Sequence, residues 1–286
     1  MQYVATRVKI KTAMRRKIIM FTCPICNNEL KSRDNSLVCK NNHCFDFAKQ
    51  GYINLLPVQQ KKSLNPGDSK DMLMARRSFL SKGQYSPIKD EVARLVSTYR
   101  SGDDTYLDIG CGEGYYTTEI AKLVPFTNVV GTDIAKDAVR MCCSRSKEHF
   151  WAVATASHLP LRDNSVDCIT AIFSLVVGEE YHKKLKKGGI IVEVSAGNNH
   201  LIELKREIYS EVFKQDKKQK DLSPYFKTEC QGKVTFPLSL EGEDLKNLLD
   251  MTPHINRIKE DKKQQLYSLS RLDLTVDCQV RVLKKC

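Results

Sequence analysis

The sequence predicts an α/β fold, a mostly parallel sheet of seven strands with a small metal-binding domain in front of it. Three observations carry that reading. From Tyr106 onward, short apolar runs alternate with stretches of helical periodicity, as in a sheet whose strands are joined by helical crossovers. The first of those runs ends in Asp108-Ile-Gly110-Cys-Gly112-Glu-Gly114, a glycine turn of the kind that lets a ligand approach the backbone. Well upstream, Cys23, Cys26, Cys39 and His43 are spaced as the ligands of a closed metal site.

With 286 residues, 41% of them hydrophobic, the chain can hold one full-sized domain and a smaller one. Its formal charge of +12 points to a polyanionic partner, nucleic acid before membrane, although a merely basic soluble protein would carry the same balance. Eleven cysteines, an odd number scattered through a long chain, do not form a secreted disulfide framework; a reducing cytoplasm is expected. No apolar run approaches the length needed to span a bilayer.

Residues 1–19 hold six Lys and Arg and no acid, without the apolar core or cleavage site of a leader. We read them as a basic extension, with Met20 as the natural start. Next comes C-x2-C-x12-C-x3-H, Cys23-Pro-Ile-Cys26 to Cys39 and His43. Each pair of ligands bites from a tight knuckle, and the intervening hairpin brings the pairs together. Thiolates and imidazole suit zinc and disfavour calcium or magnesium. Four protein ligands leave no open position, so the zinc is structural. Cys44, beside His43, is an alternative fourth ligand.

Residues 45–56 read as a short packed extension of this domain, and the polar stretch from Gln59 to Lys70, with Asn65-Pro-Gly-Asp68 as a turn, as a linker. Asp68 or Ser69 can cap a helix over Met72, Leu73, Ala75, Arg76, Phe79 and Leu80 that stops at Gly83; Pro87 opens another through Ile88, Val92, Leu95 and Val96. Arg76 and Arg77 suit phosphate contact or a solvated helix face equally.

The α/β part then runs strand 106–109, helix 115–123, strand 128–132, helix 135–143, strand 150–154, strand 166–173 and strand 190–194, with 185–189 as the turn into the last. The run 200–220 reads as one helix with Leu201, Leu204, Ile208 and Val212 on a face. Strand 234–240, helix 242–251 and strand 272–283 close the chain. Loops at the carboxyl ends of the parallel strands line one crevice. Gly110, Gly112 and Gly114 alternate, with Asp108 two residues before the first. A dinucleotide fingerprint spaces its last two glycines wider so that a pyrophosphate meets the helix, and a P-loop needs Gly-Lys-Ser/Thr, which is absent here. The arrangement fits S-adenosylmethionine (SAM), whose ammonium and sulfonium an acid such as Asp108 can hold. Asp133, at the end of the second strand, is placed to accept from ribose hydroxyls or to cap the next helix. The loop 156–160, with Ser157, is where an adenine rests in such folds. No Asp/Asn-Pro-Pro-aromatic follows the fourth strand, which weakens an exocyclic-amine target.

Taken together, Cys23-Pro-Ile-Cys26 with Cys39 and His43, Lys49-Gln-Gly-Tyr-Ile-Asn-Leu-Leu56, Pro66-Gly-Asp-Ser69, Ala75-Arg-Arg77, Leu107 to Thr117, His200-Leu-Ile-Glu-Leu-Lys205 and Met251-Thr-Pro253 resemble the RlmA family of 23S ribosomal RNA guanine-N1 methyltransferases. The likeness covers nearly the whole chain from Met20. It implies a Rossmann-like class I SAM-dependent methyltransferase fold behind a zinc knuckle that helps recognise RNA. It also implies SAM contacts from Tyr85, Gly112, Glu113 and His200, and a homodimer around a cleft for an rRNA hairpin. The segments it suggests are 1–19, a basic extension; 20–56, the zinc-knuckle RNA-recognition domain; 57–98, linker and helices; and 99–286, the methyltransferase domain. One departure stands out: where a family member has Tyr-Ala-Pro-Cys after the fourth strand, this chain has Phe173-Ser-Leu-Val-Val177. The expected reaction is direct transfer of a methyl from SAM to guanine N1. Alternatives are a methyltransferase of a small molecule or protein, and a non-catalytic RNA-binding scaffold.

Overall fold

The computed structural model describes residues 20–286 except 62, 64, 65, 210–219, 254, 256 and 257. The basic extension 1–19 and most of the lysine-rich run after Tyr209 therefore lie outside the described residues.

Two sheets are present. The small one joins strands β1 (Lys31–Arg33), β2 (Ser36–Val38) and β3 (Cys44–Asp46) in an antiparallel meander. The large one has eight strands. Five are parallel: β5 (Thr105–Ile109), β6 (Asn128–Asp133), β7 (Phe150–Val153), β8 (Val166–Ile172) and β9 (Leu185–Ala196). β11 (Arg271–Lys284) pairs antiparallel with β9, and β10 (Lys227–Glu241) with β11. These are the seven strands expected. An eighth, β4 (Ile53–Asn54), comes from the supposed extension of the zinc domain and adds parallel to β7, giving the order β10-β11-β9-β8-β5-β6-β7-β4. Strand order reverses at β5, where the glycine turn follows, the place where such a sheet opens a crevice at its carboxyl ends.

β5, β7 and β8 are buried at every residue and β6 and β9 along their middles, and alternate residues feed two cores. Tyr106, Cys168, Ile190 and Val192 face one side. There they meet helices α1 (Lys70–Ser81), α2 (Ser86–Tyr99) and α3 (Tyr115–Leu123), together with α7 (Gly242–Met251). Leu107, Ile109, Ile169 and Ile191 face the other, and there Met20, Phe21, Leu30, Leu37 and Ile53 of the N-terminal segment complete the core. Phe21 stacks on Phe150 at 4.3 Å and bridges to Leu161. The zinc segment is thus packed against the sheet over an apolar face.

The helix expected over 200–220 is shorter. It spans Ile202–Ile208 as α6 and ends where Tyr209 turns extended; Leu201 precedes it with φ +53°, its N–H donating to Thr275 O at 2.8 Å. Residues 185–189, expected as a turn, are the start of β9, with a register shift opposite Val166–Cys168. Two helices escaped the sequence reading, α5 (Gly178–Lys184) and α8 (Glu260–Tyr267). Each is short and mostly polar, so neither shows a 3.6-residue apolar row.

Candidate cofactor crevice and metal centre

The metal centre is built from two knuckles. Asn27, with φ +57°, donates its N–H to Cys23 O at 2.8 Å, and Asn42, with φ +62°, donates to Cys39 O at 3.0 Å. The left-handed turns that Asn tolerates bring each ligand pair round. Ligand atoms of Cys23, Cys26, Cys39 and His43 all lie within 4.8 Å of one another. Cys23 Sγ and Cys39 Sγ are each 3.4 Å from His43 Nδ1, and Cys26 Sγ is 3.7 Å from Cys39 Sγ. Tetrahedral zinc, with Zn–S of about 2.3 Å and Zn–N of about 2.0–2.1 Å, needs S···S of about 3.8 Å and S···N of about 3.5 Å. The set fits. Donation from the Asn28 backbone N–H holds the Cys26 thiol down to about 6, which suits a thiolate ligand. Cys44 takes no part: it is exposed on β3 with its sulfur toward Asp46.

The crevice begins at the glycine turn between β5 and α3. Gly110, Gly112 and Gly114 have φ of +73°, +56° and +87°, a region that only glycine enters freely. Their surroundings differ. A Cβ on Gly110 would come within 2.5 Å of Ser174 Cβ, and one on Gly114 would press Cys142 and Trp151; at Gly112 the nearest atom is Arg76 Nη1, 3.9 Å away. Gly110 and Gly114 therefore hold the turn against its neighbours, and Gly112 leaves room above it.

Asp133, at the end of β6, ties the turn in place. One carboxylate oxygen accepts from Gly112 N at 2.9 Å and the other from Ala135 N at 2.8 Å, while burial pushes its pKa up. Asp133 is not the cap of the next helix, whose N-cap is Ala135 without a side-chain bond; its two N–H donors still leave the carboxylate acceptor capacity to spare. Asp108 sits deeper, 2% exposed, its oxygens accepting from Thr117 and, at 2.8 Å, from Thr170. Burial raises its pKa to about 6. Glu113, 1% exposed, forms an ion pair with Arg145 of helix α4 (Lys136–Arg145), leaving Oε1 buried without a partner. What the turn presents at this position is backbone. Ser157 lies exposed just past β7, sharing a hydrogen bond with Thr155 at 3.0 Å.

Tyr85 and His200, far apart in sequence, come together. Tyr85 precedes α2, 3% exposed, edge-on to Phe79 at 5.1 Å and to His200 at 6.3 Å. His200 is held by the loop before α6, which docks on β11: Gly197 N donates to Asp277 O at 2.8 Å and Asn199 N to the Asp277 carboxylate at 3.0 Å. Asp277 N in turn donates to His200 Nδ1 at 3.3 Å. The Tyr85 hydroxyl is buried and unpartnered, as is that of Tyr116.

Two further features were not legible in the sequence. Arg76 is neither a free phosphate contact nor a solvated face: it pairs with Asp68 and donates to Met251 O at 3.3 Å, while Arg77 donates to Ser144 Oγ at 2.7 Å. After β8, Phe173 has φ +53° and is 43% exposed, 5.6 Å from the His200 ring; Leu175 is 67% exposed. The loop is pinned on both sides, Ser174 donating to Ile109 O at 2.7 Å and Tyr181 to Leu175 O at 2.6 Å. It holds two apolar side chains outward at the crevice mouth.

Residues 107–192 match a methyltransferase domain, and residues 21–64 match the N-terminal zinc ribbon of RlmA. Strand order, glycine turn and these matches define the class, a SAM-dependent methyltransferase with a zinc ribbon in front. The 23S rRNA (guanine(748)-N(1))-methyltransferase of Streptomyces fradiae is 30% identical over 250 residues, 84% of this chain and 87% of that one. YxjB of Bacillus subtilis (strain 168), provisionally named a 23S rRNA (guanine-N(1)-)-methyltransferase, is 27% identical over 275 residues, 92% of this chain and 96% of that one. The chain belongs to this family of 23S rRNA guanine-N1 methyltransferases. Among solved structures, the PH0226 protein of Pyrococcus horikoshii OT3 matches with a TM-score of 0.46 at 17% identity, over 71% of this chain and 91% of its own.

Proposed function

We propose that this protein methylates N1 of a guanine in a hairpin loop of 23S ribosomal RNA, acting in the cytoplasm as a homodimer. The observation that carries the substrate is the likeness to the Streptomyces fradiae enzyme along 87% of that chain's length. The charge of +12 supports a polyanionic partner, and no helix among the described residues is long and apolar enough to cross a membrane. Residues 20–56 serve as the RNA-recognition domain, 57–98 as the connection and 99–286 as the catalytic domain, with Cys23, Cys26, Cys39 and His43 holding one structural zinc.

Bound in the crevice, SAM supplies an electrophilic methyl on its sulfonium. The chain's own part is placement. Asp133 accepts from the ribose hydroxyls, the backbone at Gly110, Gly112 and Gly114 gives the ligand room, and Ser157 sits on the adenine side. Tyr85 and His200 flank the opposite end. Asp108 and Glu113 act from beneath, Asp108 by fixing Thr117 in the first turn of α3 and Glu113 by anchoring the turn to Arg145. Phe173 and Leu175 offer an apolar face on which a splayed guanine can lie, as RNA readers commonly stack unpaired bases. Holding the acceptor nitrogen in line with the methyl, with its proton leaving as the new bond forms, is the main source of rate.

Mapping N1-methylguanine in 23S rRNA from cells with and without the protein tests this. Loss of one modified position, restored on complementation, is expected; an unchanged map refutes the assignment.

A further inference from the structure

The loop that holds Phe173 and Leu175 outward is fixed along its whole length. Three consecutive carbonyls have donors: Leu175 O takes the Tyr181 hydroxyl at 2.6 Å, Val176 O the Lys220 ammonium at 3.4 Å and Val177 O the Tyr181 N–H at 3.0 Å. At its start, Phe173 N donates to Val194 O of β9 at 2.8 Å. Phe173 has φ +53°, and a non-glycine residue stays in that region only where its surroundings over-determine it.

The Lys220 donor is itself anchored. Arg281 of β11 donates from Nη1 and Nη2 to Lys220 O, each at 3.2 Å, and its Nε pairs with Glu193, its cross-strand neighbour on β9. The arginine side chain is 8% exposed and the glutamate 12%. A buried ion pair commonly adds no net stability over apolar residues of the same volume. What this one supplies is a rigid fork of donors that lysine cannot reproduce. From Lys220 the chain runs over α5: Leu222 and Phe226 are buried, and a Cβ on Gly178 would come within 2.7 Å of Leu222 and 2.9 Å of Tyr225. Gly178 is the first residue of α5, directly after the loop, and Glu193 pairs with Ala171, two residues before Phe173. Segment 220–226 and the loop therefore share one footing.

We propose that Arg281, braced by Glu193, and Tyr181 are positioning residues for the target base. They clamp segment 220–226 and the loop 173–177 together, so that Phe173 and Leu175 stay in place when the RNA base arrives. The assignment rests on the reading that this loop receives the guanine. Arg281, Lys220 and Tyr181 all act through backbone carbonyls on the acceptor side. Losing the clamp therefore loosens the acceptor and leaves the donor site as it is.

Single-turnover methyl transfer to 23S rRNA from cells lacking the protein tests the clamp, with calorimetric titration of the full zinc-loaded chain by S-adenosylhomocysteine as the separate measure of the donor site. In Arg281→Lys, which keeps the charge and loses the fork, and in Tyr181→Phe, which removes one oxygen, the rate falls about tenfold. Lys220→Met, at an exposed side chain, costs a few-fold. In all three the Kd for S-adenosylhomocysteine stays within about twofold of wild type, which also shows that the fold is intact. Phe173→Ala falls at least as far, and adding Arg281→Lys to it costs less than about twofold more, because both act through one loop. The proposal is overturned if all three single variants match wild type while Phe173→Ala is slow, if cofactor affinity weakens in step with the rate, or if the losses multiply in the double variant. Phe173→Ala and Leu175→Ala proteins as fast as wild type would instead refute the loop as the surface that receives the base, and the clamp with it.

Discussion

The metal centre draws its ligands from one short stretch, Cys23 to His43, whereas the crevice is assembled from Asp68, Arg76, Tyr85, the glycine turn, Asp133 and His200, segments scattered over most of the chain. At the first, ligand distances already match a tetrahedral ion and the knuckle turns are closed by hydrogen bonds. At the second, buried hydroxyls of Tyr85 and Tyr116 and one oxygen of Glu113 have no partner. A site whose task is to hold one ion permanently can be completed locally. The crevice, by contrast, is held together by long-range contacts such as Asp133 to Gly112 and Asp277 to His200, and these leave polar groups unmatched within the fold.

That contrast can be broken or sharpened by four measurements. Replacing a ligand, as in Cys39→Ser, or removing the ion by chelation should have the largest effect. Zinc falls from one per chain, and because metal binding is folding energy here the thermal transition drops by about 10 °C or more. Full stability without zinc would mean that the packed face of Phe21, Leu37 and Ile53 suffices alone.

Next in size is Gly110→Ala. A side chain at φ +73° that meets Ser174 costs about 2–4 kcal/mol, read as a lowered denaturation midpoint. Gly112→Ala adds a methyl to open space, so its stability cost is about 1 kcal/mol and its main effect falls on S-adenosylhomocysteine affinity. Fluorescence of Trp151, the sole tryptophan, which packs under Gly114, reports on both.

The third concerns Asp108. Its folded pKa, raised to about 6, exceeds the ordinary value near 4 because burial disfavours the charge. The folded state therefore holds more protons between those values. This residue's contribution is fully present below about pH 4, declines as pH rises, and has gone above about pH 6, a change of up to about 3 kcal/mol. In Asp108→Asn that slope disappears, so the difference between variant and wild type should vary only between those pH values. A parallel offset at every pH would refute the buried carboxylate. The smallest effect belongs to Cys44→Ser: zinc remains at one per chain and stability moves by less than about 0.5 kcal/mol. Lost zinc would make Cys44 the fourth ligand in place of His43.

Legibility followed the same divide. The zinc spacing and the run from Leu107 to Thr117 were readable because the interactions are local: a knuckle, a strand end, a glycine turn and helix 115–123 each declare themselves within a few residues. The outline of the sheet was readable for a related reason, since buried parallel strands are continuous apolar runs. Helices 178–184 and 260–267 were missed because they are short and lack an apolar row, and β4 because two residues carry no pattern. Tyr85 and His200 entered only through family resemblance. Spacing says nothing of two rings brought together by a loop docked on Asp277, nor of the pairing between Arg76 and Asp68 eight residues before it. Phe173 offered a different kind of signal, a departure from the family's loop, without indicating that its backbone would be left-handed.

Strand Ile53–Asn54 has a consequence out of proportion to its length. It pairs with Ala152 and Val153, the carboxyl half of Phe150–Val153, the outermost of the five longer parallel strands and buried throughout. Without it the array would end in a row of unpaired amides flanked by apolar side chains, a template for another chain to add to. The zinc segment thus works as a plug on a sticky edge. Protein stripped of its metal should be lost to self-association, visible as concentration-dependent light scattering, before it is lost to unfolding.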